Sequence, residues 1–341
     1  MRITAGLLTA AMASGVVTTL FGCSGSGLTA AQSPVLDGTM AQARAYGSSS
    51  PESAATRLNS PIEGILPLLR PPTDLAVSDY GGGPNPSAVE ILNKKYQLTE
   101  TITSGIAGAN SDWYDTSGNL YVTNYANPEV QEYPNGASSP SFTYSNSLNR
   151  PEGVTTDSAG NVYVADAYLG SGTGIVFEFA QGSNSILHQC LNGLNNIGVA
   201  VDKHGDVFVS GTSQQYPNAG LLLEYKGGLS GCTPTTLGVQ LTSAGGLQLD
   251  KKNNLVACDE RGHVVDIIPP PYTSVSLTIS GFESPAHTAL NKAESLLYVA
   301  DPGNYNVQVL TYPGGTYVTM LDSSNGLSDP SGVATYPAAK T

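Results

Sequence analysis

From residue 74 onward the only arginines are Arg150 and Arg261, and each stands beside an acid. Glu152 follows Arg150 by two positions, and Glu260 directly precedes Arg261. A planar guanidinium suits a carboxylate or phosphate ligand, and a buried one needs an anionic partner. These residues are candidates for ligand recognition; the plainer alternative is an internal pair with Glu152, Glu260 or Asp329. Tyrosines recur at matching places, as Tyr80, Tyr125, Tyr168, Tyr216 and Tyr305. Amphipathic rings around a polar mouth stack on sugar faces or anchor peptides. Their alternative role is to cap the tips of strands. Trp113, the only tryptophan, sits beside Asp112, where a bulky ring would plug a channel or line a site. His287 opens its own strand motif and joins the same set.

Catalytic spacing is missing. His188, His204, His263 and His287 are scattered, and no G-x-S-x-G, H-E-x-x-H or C-x-x-C occurs. The expected role is therefore binding rather than catalysis.

The elements that must position these residues are repeats. A short phrase returns at 75–79 (LAVSD), 120–124 (LYVTN), 162–166 (VYVAD), 207–211 (VFVSG), 255–259 (LVACD) and 297–301 (LYVAD). A fixed period of this size, carried by short alternating strands, predicts propeller blades. Before each phrase but the first lies a turn such as 157–161 (DSAGN) or 202–206 (DKHGD). Its leading Asp can accept from amides two residues on, and its Gly tolerates positive φ. These acids are read as hairpin chemistry, not calcium loops. Glu90, Glu132, Glu178, Glu224 and Asp266 recur in the third strand and are read as blade chemistry too.

The chain ends predict how the ring closes. The first repeat begins with its second strand at Asp74, whereas the last residues, 329–336 (DPSGVATY), carry the inner-strand pattern with nothing after it. The C-terminal strand should complete the N-terminal blade, pairing two edges that would otherwise be exposed. The expectation is an all-β, six-bladed propeller of four-stranded antiparallel blades over residues 71–341. The pattern P-x-G-V-x-x-D-x-x-G-N-x-Y-V-A-D resembles NHL-repeat and related six-bladed propellers, and covers nearly all of 74–336. In such a ring the face made by inner-strand starts and second-to-third-strand loops binds ligands. That places Asp112, Trp113, Tyr125, Arg150, Glu152, Tyr168, Tyr216, Arg261, His287 and Tyr305 on or near it.

A second resemblance supplies the enzymatic alternative. Residues 111–115 (SDWYD) and 150–152 (RPE) are distantly similar to the G-P-x-W-D and R-P-N-D segments of gluconolactonase and senescence-marker-protein propellers. The glutamate that precedes G-P in that family is absent, and Glu152 replaces its Asn. The resemblance implies a metal-dependent lactonase, with calcium or zinc polarising a lactone carbonyl and activating water. Its candidate ligands here are Asp112, Glu152, Asn195 and Asn196. Without that activity, no cofactor is expected.

The first 22 residues read as an export signal: a short basic start, then an uncharged apolar stretch ending in LFGC. The small residue before Cys23 resembles a bacterial lipobox, which implies cleavage there and lipidation of Cys23. Residues 23–70, rich in Ser, Gly, Ala and Pro, read as a linker, with a contact from 62–69 to the folded head as one option. The expectation is an exported protein lipid-anchored to a bacterial membrane, the outer one in a Gram-negative host. The net charge of −13 opposes nucleic-acid binding. Expected partners are the membrane, through Cys23, and a sugar, peptide or envelope protein at the propeller face of a monomer. Cys190, Cys232 and Cys258 remain, and a Cys190–Cys232 bridge suits an oxidising compartment.

Overall fold

The computed structural model describes residues 73–81, 86–167, 174–213 and 219–337. The signal segment, Cys23, the linker, Tyr168 and Tyr216 lie outside these residues. The described chain forms six four-stranded antiparallel sheets.

Blade 1 holds β1 (Asp74–Asp79), β2 (Ala88–Asn93) and β3 (Leu98–Ile102). Blade 2 holds β4 (Ala109–Tyr114), β5 (Leu120–Asn124), β6 (Glu129–Tyr133) and β7 (Phe142–Tyr144). Blade 3 holds β8 (Pro151–Thr156), β9 (Val162–Asp166), β10 (Ile175–Phe179) and β11 (Ile186–Leu191). Blade 4 holds β12 (Leu194–Val201), β13 (Val207–Ser213), β14 (Gly220–Tyr225) and β15 (Thr235–Leu241). Blade 5 holds β16 (Ala244–Leu249), β17 (Leu255–Asp259), β18 (Val264–Ile268) and β19 (Leu277–Ser280). Blade 6 holds β20 (His287–Leu290), β21 (Leu296–Asp301), β22 (Asn306–Thr311) and β23 (Tyr317–Leu321). The last strand, β24 (Pro330–Tyr336), returns to blade 1 and pairs with β1 from Asp74↔Tyr336 to Asp79↔Pro330. The ring closes as its ends predict.

The turn chemistry is as the sequence suggests. Asp157 Oδ1 accepts from the amides of Ala159 and Asn161, both at 2.9 Å, and the Asn161 side chain donates to Oδ2 at 2.9 Å. Asp115 and Asp250 repeat this arrangement in their own blades. The third-strand acids also stay within their blades. Glu90 accepts from Thr101, Glu178 pairs with His188 and Asp266 accepts from Thr278, each across to the fourth strand.

Second strands are buried along nearly their whole length, because each blade is covered on both faces by its neighbours. The apolar clusters lie between blades: Tyr121, Val154, Val164 and Phe177 between blades 2 and 3, and Val77, Tyr298, Val309 and Val333 between blades 6 and 1. Full burial of one such aliphatic side chain contributes about 1.5–3 kcal/mol. The interblade stack therefore outweighs any single surface contact. A Cys190–Cys232 disulfide ties β11 of blade 3 to the segment between β14 and β15 of blade 4. Cys258 is free and buried.

Close approach at the axis explains the repeated glycine of the inner strand. A Cβ on Gly153 would meet the Ile197 carbonyl oxygen at 2.5 Å, and one on Gly332 would meet Asp112 Oδ1 at 2.7 Å. Gly198 and Gly246 occupy the same place in blades 4 and 5; blades 2 and 6 have Ser111 and His287 there, four residues before the hairpin turn.

Candidate functional site

One end of the ring, here called the upper mouth, is built where second strands end and inner strands begin. A single device shapes it in five blades. The last residue of the second strand accepts backbone amides from the loop leading into the inner strand of its own blade. Asp79 takes Ser328 and Asp329, Asp166 takes Asn149 and Arg150, Asp259 takes Thr242 and Ser243, and Asp301 takes Glu283 and Ser284. Asn124 does the same for Ala107. Blade 4 has Gly211 at this place and lengthens β12 and β13 instead. The recurring final Asp of the phrase was the sequence signal for this staple, which a reading of the phrase as strand alone passes over.

Asp166 thereby fixes the backbone of Arg150, whose amide it accepts at 2.6 Å. Arg150 is 1 % exposed and Glu152 3 % exposed. Arg150 Nε lies 2.7 Å from Glu152 Oε1, while the Asn110 side chain donates to Glu152 Oε2 at 2.6 Å. The guanidinium also stands 4.4 Å from the centre of the Tyr125 ring, which packs edge-on against Tyr80 at 5.8 Å. Thus Tyr125, Arg150 and Glu152 meet in one cluster, which Asn110 joins from the neighbouring blade.

Blade 5 adds Glu260 and Arg261 to the same mouth. Burial pushes the Glu260 carboxyl up to about 8; the charges of Glu152 and Asp259 add to the rise, and Arg261 and Arg150 oppose it. Burial likewise raises Asp166 to about 7, against the amides of Arg150 and Asn149. On β12, Asn195 Oδ1 and both polar side-chain atoms of Asn196 are buried without a hydrogen-bond partner among the described residues. Tyr305 stands apart: it is 53 % exposed, in the loop between β21 and β22.

Three sequence candidates lie deeper. Asp112 occupies the inner-strand position that is Val154, Val199 and Val333 in blades 3, 4 and 1. It leans on β24 over Gly332, and burial pushes its carboxyl far above the usual range. Its own amide and the Ser78 hydroxyl and amide lie near enough to temper that rise, though none closes a hydrogen bond of normal geometry. His287 bridges neighbouring blades: Nδ1 is 3.0 Å from the Ser331 carbonyl, so Nδ1 carries the proton. Burial lowers its pKa to about 4, which keeps the ring neutral. Trp113 lies at the far end of β4 from the tyrosine loops, its indole donating to Thr156 Oγ1 at 3.0 Å. Asp112, Trp113 and His287 line a cavity of about 20 Å³ on the axis, with Val154, Val199 and Val333 around it. That space suits one water molecule. The cavity that these side chains line is therefore too small to hold a sugar.

Of the metal set implied by the gluconolactonase resemblance, Asp112, Glu152, Asn195 and Asn196, it is Glu152 whose oxygens already have partners. Both carboxylate oxygens of Glu152 are engaged, one by Arg150 and one by Asn110. Among the described residues, no group of three or more His, Cys, Asp or Glu is arranged to hold a metal ion.

No family model matches the chain, and no curated protein matches it. Solved structures do. A chain of a nidogen/laminin complex has 16 % identity and a TM-score of 0.60, over 76 % of this chain and 97 % of that one. A protein of unknown function from Bacteroides caccae has 11 % identity and a TM-score of 0.58, over 77 % and 98 %. A functionally unknown protein from Desulfotomaculum acetoxidans DSM 771 has 11 % identity and a TM-score of 0.56, over 79 % and 100 %. At such identities the likeness is one of fold. The chain is a six-bladed propeller.

Proposed function

We propose that this propeller is a binding module whose upper mouth engages a polar ligand: a sugar, a peptide or a segment of an envelope protein. The observation that carries the reading is the buried amide capacity of Asn195 and Asn196 in a mouth that also holds the Arg150–Glu152 pair. Buried carboxamides without partners are costly, and a ligand that fills them recovers that cost on binding. Arg150 is held in place before any ligand arrives, so little side-chain entropy is lost on binding. Tyr305 and Arg261, on the rim, supply outer contacts. The nidogen/laminin complex shows a similar fold inside an assembly, which agrees with a partner-binding role.

The Cys23 motif supports display outside the cytoplasm on a lipid anchor in a bacterial envelope, with residues 23–70 as the tether. The lactonase alternative has weaker support, since it needs Glu152 as a metal ligand.

Glycan and peptide arrays probed with the wild-type chain and with an Arg261→Ala/Tyr305→Ala variant test the binding reading. Retention should fall by at least about tenfold in the variant, or 1.4 kcal/mol, while the circular-dichroism spectrum of the folded propeller is kept. A ligand held equally well by both proteins, or no ligand at all, rejects the mouth as the site.

A further inference from the structure

A larger cleft, of about 160 Å³, lies between blades 1 and 2. It sits at the end of the ring opposite the mouth, where β1 begins and the hairpin turn of blade 2 is found. Ile91, Ile102, Tyr114 and Leu120 form a buried apolar floor. The charged residues that line it are Asp74 and Glu100, both acids. Both add to the rise that burial imposes on the Tyr114 hydroxyl. A cavity near 150 Å³ accepts a group the size of benzene, so this one takes one or two aliphatic side chains. An acidic rim over an apolar floor calls for leucine-like groups next to a cation.

The chain itself supplies that combination at the cleft's edge. Asp74 is the first residue of β1, and the Thr73 amide donates to the Tyr336 carbonyl at 2.9 Å, which anchors the chain there. Just before it the sequence reads Leu68, Leu69, Arg70, Pro71, Pro72. An extended chain spans about 3.3–3.6 Å per residue, so four residues can reach about 14 Å from Asp74 and six about 21 Å. A proline pair restricts φ and disfavours helix in the residue before it, a sequence feature that favours reach over collapse.

We infer that this cleft is the dock for residues 68–70 of the same chain, with leucine on the apolar floor and Arg70 paired to Asp74 and Glu100. Docking there clamps blade 2 to the blade that closes the ring. It also makes the chain leave the propeller from the end opposite Arg150 and Tyr125. An N-terminal attachment then presents the mouth outward. The inference stands independently of what the mouth binds.

Hydrogen exchange on the full chain tests it. Amides of residues 65–70 should exchange at least about tenfold more slowly than in a free peptide of that sequence. The Leu68→Asp/Leu69→Asp variant should lose that protection. Arg70→Glu should weaken it, and adding Glu100→Arg should restore it. Free-peptide exchange in the wild-type chain overturns the inference, as does protection that survives Leu68→Asp/Leu69→Asp. Protection that vanishes on dilution also overturns it, because the occupant would then be the segment of a second copy.

Discussion

Arg150 and Glu152 form a buried ion pair within one strand region, Nε to Oε1 at 2.7 Å, two residues apart. Strand geometry puts residues i and i+2 on one face, so this pairing is local. Its consequences are not, because it fixes both the charge and the shape of the mouth. Removing one partner of a buried pair leaves an uncompensated charge and costs about 3–5 kcal/mol. Arg150→Met should lower stability by that order in urea titration. The Arg150→Met/Glu152→Met double variant should recover much of the loss. Equal losses in the single and double variants would show that the pair is not the source.

Glu260 makes stability depend on pH. Its folded pKa, about 8, lies above the ordinary value of 4.5, so the folded state holds a proton that the unfolded state has released. Its contribution is complete below about pH 4.5 and is lost as pH rises through about 8. The groups facing it are Glu152 and Arg150 from blade 3, and Asp259 and Arg261 from its own blade. The unfolding free energy should fall between pH 5 and pH 8.5 by an amount on the order of a few kcal/mol. In Glu260→Gln this slope should shrink, leaving the contributions of the other buried carboxyls that burial raises, Asp112 and Asp166 among them.

Gly332→Ala and Gly153→Ala should both destabilise the ring, by about 1–3 kcal/mol each. The Gly153 variant should suffer more, since its Cβ meets a backbone carbonyl at 2.5 Å. The Gly332 Cβ meets the Asp112 side chain at 2.7 Å but also the Asn110 carbonyl at 2.8 Å. Adding Asp112→Ala to Gly332→Ala should therefore rescue only part of the loss. Thermal unfolding of the four proteins distinguishes these outcomes.

Reduction of the Cys190–Cys232 bridge should lower stability by about 2–4 kcal/mol, as expected for cross-links that restrict the unfolded chain. The residues are 42 positions apart. Cys190→Ala/Cys232→Ala should show the same loss without reductant, and reductant should then have no further effect. A response of the double variant to reductant would point elsewhere.

The six blades, their hairpin turns and the closure of β24 on β1 are legible along the chain. Those features rest on local signals: alternation within a strand, turn residues at fixed offsets, and one inner-strand pattern shared by residues 151–154 and 330–333. Each is complete within about one repeat, so reading the chain in order recovers it. The repeat rule also separated the acids that serve the blade, such as Asp157 and Glu178, from those that break the pattern. Which pattern-breaking side chains meet is set by the packing of one blade on another. Asn110 reaches Glu152 from the next blade, Asp112 lies against Gly332 across 220 residues of sequence, and His287 bonds to Ser331. Trp113, with no such tie to the mouth, falls at the other end of its strand. A ring brings every inner strand to one axis, and the contacts there depend on the shape of neighbouring blades. No period along the chain encodes that meeting.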